Sequence, residues 1–255
     1  EIFQFVANAF LSSEDEVITA TETFSVYKIV TQISGASFIS VPLNNGFYDL
    51  ETIESKISDK TKVIFIANPN NPTGTLLNQN EISTFIKKIP SSILIVLDEA
   101  YRDYVNTEPV DANVDLIKTY PNVLITRTFS KLFGLAALRC GYAIGSENII
   151  RSLKKVQLPF NSNIIALNAA NLALRKKEFI KKSIQINKRG MKQICSILNQ
   201  SQFKFFDSQA NFLCITAPND DCDLFDLFLN HGIITRSLVS FGMPQSIRIT
   251  IGDQS

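Results

Sequence analysis

Ile93-Leu94-Ile95-Val96-Leu97-Asp98-Glu99-Ala100-Tyr101 is an unbroken apolar run that ends abruptly in two carboxylates and a tyrosine. A short run with no polar alternation suits a strand buried on both faces, as in a mostly parallel sheet. Upstream, Val63-Ile64-Phe65-Ile66 repeats the pattern and opens into Asn68-Pro69-Asn70-Asn71-Pro72-Thr73-Gly74, a loop built of turn residues. A third strand pattern, residues 123–127, leads into Thr128-Phe129-Ser130-Lys131. Each unusual segment begins where a predicted strand ends. In open α/β sheets ligands bind outside the carboxyl ends of the strands, so the three loops mark one candidate site.

Working outward, further strands are predicted at 16–19, 37–41, 62–67, 93–97 and 141–144, with helical patterns at 24–33, 50–57, 80–89 and 115–119. This alternation predicts an α/β fold with a mostly parallel central sheet flanked by helices. After Ser146 the pattern changes. Helical segments dominate from 147 to about 198, including a long one from Lys177; strands follow at 204–206, 212–215, 233–236 and 247–251, with a helix at 221–230. That layout predicts a smaller α+β C-terminal domain. The break at Leu158-Pro159-Phe160-Asn161 divides the chain into a large domain, 1–160, and interdomain helices with a small domain, 161–255.

With 25 Lys and Arg against 24 Asp and Glu in 255 residues, the chain has no electrostatic footprint for nucleic acid. Its longest basic cluster, Arg175-Lys176-Lys177 with Lys181-Lys182, is interrupted by Glu178 and reads as a solvated helix face. No stretch is long and apolar enough to span a membrane. Cys140, Cys195, Cys214 and Cys222 have neither metal-ligand spacing nor a disulfide framework, so reduced thiols in a cytoplasmic protein are expected and no metal site is. The single histidine, His231, precedes Gly232 at a predicted helix end; it excludes a Ser-His-Asp triad within the chain and reads as a helix-ending residue.

Lys131 stands in an otherwise apolar stretch, after two hydroxyls and before an arginine. Burying an ammonium there is costly unless chemistry uses the free amine. Together the three loops supply what pyridoxal phosphate requires of a protein. Lys131 is the lysine to condense with its aldehyde and then to shuttle the substrate's α-proton. Asp98, ending a buried strand, is the counter-charge for the pyridine nitrogen, although a turn or cap role is the commoner use of such an Asp. Tyr101 and the Asn71 amide are donors for the phenolic oxygen, and Glu99 reads either as a support behind the site or as structural. Thr128, Ser130 and Arg139 offer the donors a phosphate dianion needs. Phe24, at the start of a helical pattern, is either a ring platform or core. In the second half, Arg248 alternates with Ile247 and Ile249 on a predicted strand and so needs an anion, for which a carboxylate fits the planar fork. Arg236 ends the neighbouring strand, as a second anion site or a surface ion pair.

These segments resemble the fold-type I pyridoxal-phosphate enzymes of the class I/II aminotransferase group, and among them the histidinol-phosphate aminotransferases most. The resemblance rests on residues 68–74, 98–101 and 128–141, on Asn211 in Ser208-Gln209-Ala210-Asn211-Phe212, and on Ile247-Arg248-Ile249-Thr250-Ile251-Gly252. It implies that Lys131, Asp98, Tyr101, Asn71, Thr128, Ser130 and Arg139 hold pyridoxal 5'-phosphate and that Phe24 stacks on it. It further implies that Arg248, with Asn211 nearby, binds a substrate carboxylate or equivalent anion, and that Arg236 meets a phosphate-bearing substrate. The implied reaction moves an amino group between histidinol phosphate and 2-oxoglutarate, in a homodimer with the site at the subunit interface. Family members also carry a glycine-rich turn before the position of Glu1, a tyrosine that reaches the neighbouring subunit's cofactor and a C-terminal helix, so the sequence reads as lacking both ends. Threonine-phosphate decarboxylation, aromatic amino-acid transamination and cofactor binding without catalysis stay open as alternatives. A cis peptide is expected at Asn71-Pro72, where a tight loop would aim the amide.

Overall fold

The computed structural model describes residues 1–219 and 223–253. Its larger sheet contains β1 (Glu16–Ala20), β2 (Ser37–Val41), β3 (Thr61–Ala67), β4 (Leu94–Asp98), β5 (Val123–Thr128) and β6 (Gly141–Gly145). They lie in the order β2-β1-β3-β4-β5-β6, the first five parallel and β6 antiparallel to β5. β3 and β4 occupy the middle, and Val63, Ile64, Phe65, Ile66, Ile95, Val96 and Leu97 have no exposed surface. This is the two-faced burial that their unbroken apolar runs predict.

Helices cover the sheet: α1 (Ile2–Phe10), α2 (Val26–Ser34), α3 (Leu50–Ser55), α4 (Gln79–Lys88), α5 (Leu116–Thr119) and α6 (Glu147–Val156). Their ends have local causes. Asn78 and Glu81 form a reciprocal capping box at the start of α4. Asp49 accepts the Thr52 amide at the start of α3, and α2 stops at Gly35, whose φ of 79° suits a residue without Cβ. One helix begins later than the pattern at 24–33 predicts. α2 starts at Val26, leaving Phe24 in the turn beyond β1, where Tyr27 donates its amide to the Phe24 carbonyl.

Then α7 (Ile164–Arg175) and α8 (Lys177–Leu198) lead to a second sheet of β7 (Lys204–Phe205), β8 (Phe212–Thr216), β9 (Arg236–Ser237) and β10 (Ser246–Thr250), with α9 (Leu224–Asn230) between β8 and β9. Its order is β7-β8-β10-β9, with every pairing antiparallel. A separate apolar core lies beneath it, centred on Leu213, Ile215, Leu224 and Ile247. The strand predicted at 233–236 is corrected. Ile233 and Ile234 are exposed and unpaired with the sheet, and only Arg236 and Ser237 join β10. For the helix predicted at 221–230, Asp221 and Cys222 lie outside the described residues, and Asp223 caps α9. His231 ends it, its Nδ1 2.9 Å from the Leu227 carbonyl.

The two sheets meet where the candidate loops are. An ideal Cβ on Gly74 would sit 2.0 Å from the Ser208 hydroxyl, and the Gln209 amide donates to the Gly74 carbonyl. With a φ of 77° as well, Gly74 admits no side chain. The cis expectation is corrected here too: the bond that is cis is Asn68-Pro69, not Asn71-Pro72. The Asn68 side chain exchanges two hydrogen bonds with the Leu77 backbone and its backbone N–H donates to the Asp98 carbonyl, so the loop from 68 to 77 is tied to the end of β4 at that residue.

Candidate active site

Asp98 is the last residue of β4, paired with Ala67 on one side and Thr126 on the other. Its Oδ1 accepts the Ala100 amide at 3.1 Å and the Thr126 hydroxyl at 3.4 Å, and its Oδ2 accepts the Tyr27 hydroxyl at 2.7 Å. All three donors are neutral. Burial pushes the Asp98 carboxyl above its ordinary value, against those bonds and the Lys131 ammonium, which pull it down. Among the described residues Asp98 forms no ion pair. A buried carboxylate held only by neutral donors fits a cationic N–H supplied by a ligand.

Lys131 lies on the loop after β5 and carries its ammonium 5.0 Å from the centroid of the Tyr101 ring. Tyr101 is buried, and its ring meets Phe212 of β8 edge-on at 4.9 Å. The other face of this contact holds Arg248, whose guanidinium carbon is 4.9 Å from the Phe212 centroid. Arg248 reaches across to the first sheet, donating to Asn71 Oδ1 at 2.5 Å. Asn71 thereby has its oxygen engaged and its amide N–H groups left to donate. Among the described residues the Arg248 Nε is buried without a partner, an orphan that a ligand anion would satisfy.

β10 places Arg248 directly opposite Cys214 of β8 and Arg236 of β9. Directly opposed residues share a face of the sheet, so Arg236 and Arg248 are cross-strand neighbours on one face. Arg236 is exposed. Asn211 contributes its carbonyl to the Ile251 amide at 2.8 Å and sits between Ala210 and Phe212, both packed on Tyr101.

The phosphate donors are less assembled than their spacing predicts. The Thr128 hydroxyl is 3.4 Å from the Cys140 carbonyl and accepts the Ser130 amide at 3.1 Å. Arg139 is exposed, in the left-handed region at φ 55°, and one of its N–H groups donates to the Ala136 carbonyl at 2.7 Å. The guanidinium thus stays solvated beside its own turn, with further N–H groups free for an anion. Phe24 is half-buried in an aromatic cluster, edge-on to Phe3 at 6.4 Å and Tyr27 at 5.7 Å.

Two residues escaped the sequence reading. Tyr27, fully buried, is the hydroxyl on Asp98; its only signal is its place within the apolar pattern predicted at 24–33. Phe212, also buried, joins Tyr101 to Arg248. It stood beside Asn211 in the motif at 208–212 and at the start of a predicted strand, with no role of its own. Glu99 is structural, one of its two expected readings. It has no exposed surface, and its oxygens accept from Arg127 Nε at 2.8 Å and Asn113 at 2.8 Å.

The donor set fits pyridoxal phosphate: a buried uncompensated carboxylate, a lysine amine over a tyrosine ring, an asparagine amide and a loop of hydroxyls with an arginine. Comparison with known proteins agrees. The family model for aminotransferase class I and II matches residues 2–255. The histidinol-phosphate aminotransferase of Brevibacillus brevis is 42% identical over 252 residues, covering 99% of this chain and 69% of that protein. The histidinol-phosphate aminotransferase of Sinorhizobium meliloti, solved in complex with pyridoxal 5'-phosphate, superposes with a TM-score of 0.91 at 25% identity, over 99% of this chain and 70% of that one. An L-threonine-O-3-phosphate decarboxylase from Porphyromonas gingivalis shares the fold, with a TM-score of 0.83 at 22% identity. A match across nearly the whole length, joined to a site with these donors, means that the chain belongs to the class I and II aminotransferases, transaminases that work with pyridoxal 5'-phosphate.

Proposed function

We propose that this chain transfers the amino group of histidinol phosphate to 2-oxoglutarate, with the residues gathered between its two sheets as the active site. The observation that carries the substrate reading is the opposition of Arg236 and Arg248 on one sheet face, beside an orphaned Arg248 Nε. Like charges directly opposite each other are unfavourable, and a phosphate dianion between them turns that repulsion into attraction. Histidinol phosphate brings that anion, whereas glutamate needs Arg248 alone for its α-carboxylate.

Pyridoxal phosphate supplies an aldehyde that captures the substrate amine and a ring that stores the electron pair left when the α-proton departs. With the cofactor bound, Lys131 would accept that proton at its Nζ and hold it for return. Asp98 keeps the ring nitrogen protonated. The Asn71 amide and the Tyr101 hydroxyl would donate to the phenolic oxygen, Phe24 would serve as the ring platform, and Thr128, Ser130 and Arg139 would hold the phosphate. Arg248 binds the carboxylate or its equivalent next to Asn211, and Arg236 binds the substrate phosphate. The division into a large domain, 1–160, and the remainder, 161–255, is part of this reading; it is supported by the two separate sheets and cores, and by Phe160, fully exposed at the join. A homodimer in the cytoplasm is its last element. Exposed Leu158, Phe160, Ile164 and Ile165 form an apolar stretch suited to a second copy, and Cys140, Cys195 and Cys214 are free thiols.

The test is steady-state kinetics of Arg236→Ala and Arg248→Ala with glutamate and with histidinol phosphate. Arg248→Ala is expected to impair both donors. Arg236→Ala is expected to raise KM mainly for the phosphorylated donor, by the equivalent of about 1.5–3 kcal/mol. Equal losses for both donors in Arg236→Ala would remove the phosphate role. Release of carbon dioxide from threonine phosphate would replace transamination with decarboxylation.

A further inference from the structure

We propose that Tyr27 is a positioning residue for the ring-binding carboxylate, its hydroxyl fixing the orientation of Asp98 and holding it as the anion that the cofactor's ring nitrogen requires. The inference rests on the reading of Asp98 given above. Tyr27 is 71 positions away in sequence and reaches Asp98 from the first turn of α2, at 2.7 Å, the shortest of the three bonds to that carboxylate. The ring has no freedom to leave. It stacks on Phe65 with centroids 4.7 Å apart and planes 4° from parallel, and Phe3 and Phe24 pack edge-on against it at 5.2 Å and 5.7 Å. A rigid aromatic socket therefore aims one hydroxyl at one oxygen.

The geometry divides the carboxylate's work. Oδ1 is held by the Ala100 amide and, at longer range, by Thr126, while among the described residues Oδ2 is held by Tyr27 alone. Deleting the phenol hydroxyl leaves Oδ2 unpartnered in a buried site, and a proton is the cheapest remedy. A carboxyl neutralised in this way cannot hold a protonated ring nitrogen. The other groups facing Asp98 do not replace the lost bond. Lys131 acts at a distance from the loop after β5 and is itself assigned to the substrate, and Tyr48, before α3, turns its hydroxyl to Thr23 and the Ala67 amide. Burial and the charge of Asp98 push the Tyr27 phenol well above its ordinary value. Tyr27 is thus a permanent donor and never a competing base.

The experiment reconstitutes the apo-protein with pyridoxal phosphate labelled with nitrogen-15 in the ring, comparing wild type, Tyr27→Phe and Asp98→Asn. The ring-nitrogen shift reports its protonation, and titration of the unloaded protein gives the cofactor dissociation constant. In Tyr27→Phe the shift is expected to move toward the unprotonated value and the dissociation constant to rise about ten- to a hundredfold, the loss typical of a hydrogen bond to a charged group. Thr126→Val, which deletes the longer contact, should move both less. Asp98→Asn changing both while Tyr27→Phe changes neither would overturn the role of Tyr27 alone. If Asp98→Asn also leaves the shift in place, the Asp98 reading falls and this inference with it. Should Tyr27→Phe fail to fold, site-specific 3-fluorotyrosine at position 27 keeps the shape and strengthens the donor. An altered ring-nitrogen shift then supports the inference, and an unaltered one refutes it.

Discussion

Asp98 and Glu99 are adjacent, both buried carboxylates at the end of β4, and they face opposite sides of the sheet. On the Glu99 side charge is matched by charge. Arg127 lies 2.7 Å from Glu99 and 2.8 Å from Asp111, and the fully buried Arg102 lies 2.8 Å from Glu108. Although burial works against its charge, Glu99 and Asp111 hold the Arg127 guanidinium protonated beyond its ordinary range. On the Asp98 side the partners are a phenol, a hydroxyl and an amide, with no ion pair among the described residues. A buried charge compensated within the protein is structure. One left for a ligand to compensate is a binding site.

The largest effect expected is on the pocket side. Lys131→Ala should abolish turnover, a loss of at least about 10²–10⁴-fold for a group that shuttles a proton, while some cofactor still binds through the hydroxyl and Arg139 loop. Single-turnover assays and cofactor absorbance check both halves; near-normal turnover would remove Lys131 from the chemistry. Next comes Arg127→Met, on the opposite face. It strands Glu99 as an unpaired buried carboxylate and should destabilise the fold by about 3–5 kcal/mol, measured by denaturant unfolding of the apo-protein. If stability is unchanged, the two sides are not as different as their partners indicate.

The smallest effect is the sharpest probe of the comparison. Asp98 has a folded-state carboxyl raised by burial, so the folded chain binds its proton more tightly than the unfolded one. Its contribution is fully present below the unfolded carboxyl value and is lost as pH rises through the folded one. Each unit by which burial raises that value is worth about 1.4 kcal/mol. Asp98→Asn in the apo-protein should therefore relieve a loss that grows with pH, read as a melting-temperature difference in favour of the variant between pH 4 and pH 8. A difference of opposite sign would mean that Asp98 is already compensated, as Glu99 is.

Much of the site was legible because it is local. An apolar run that stops at a carboxylate fixes where β4 ends, and a parallel sheet puts every such end on one edge, so Asp98, Asn71 and Lys131 were found together. The start of α2 was less legible: Phe24 continues the apolar pattern of 24–33, yet it lies in the turn before Val26. The exposure of Ile233 and Ile234 was likewise hidden, since a β-branched pair reads the same on a strand and on the loop that leads to it.

The sequence by itself determined the α/β class, the succession of strands and helices along the chain and the residue types at the strand ends, because burial periodicity and turn chemistry act over a few residues. Only the tertiary structure decided the partners. Tyr27 meets Asp98 across 71 positions, and Arg248 meets Asn71 across 177, the second sheet closing over the first at Gly74. It also left Arg139 bound to its own turn and set Arg236 opposite Arg248. The physical reason is that a side chain's hydrogen-bond partner depends on which strands and helices lie beside it. That adjacency is set by packing the whole chain, and no window of sequence contains it.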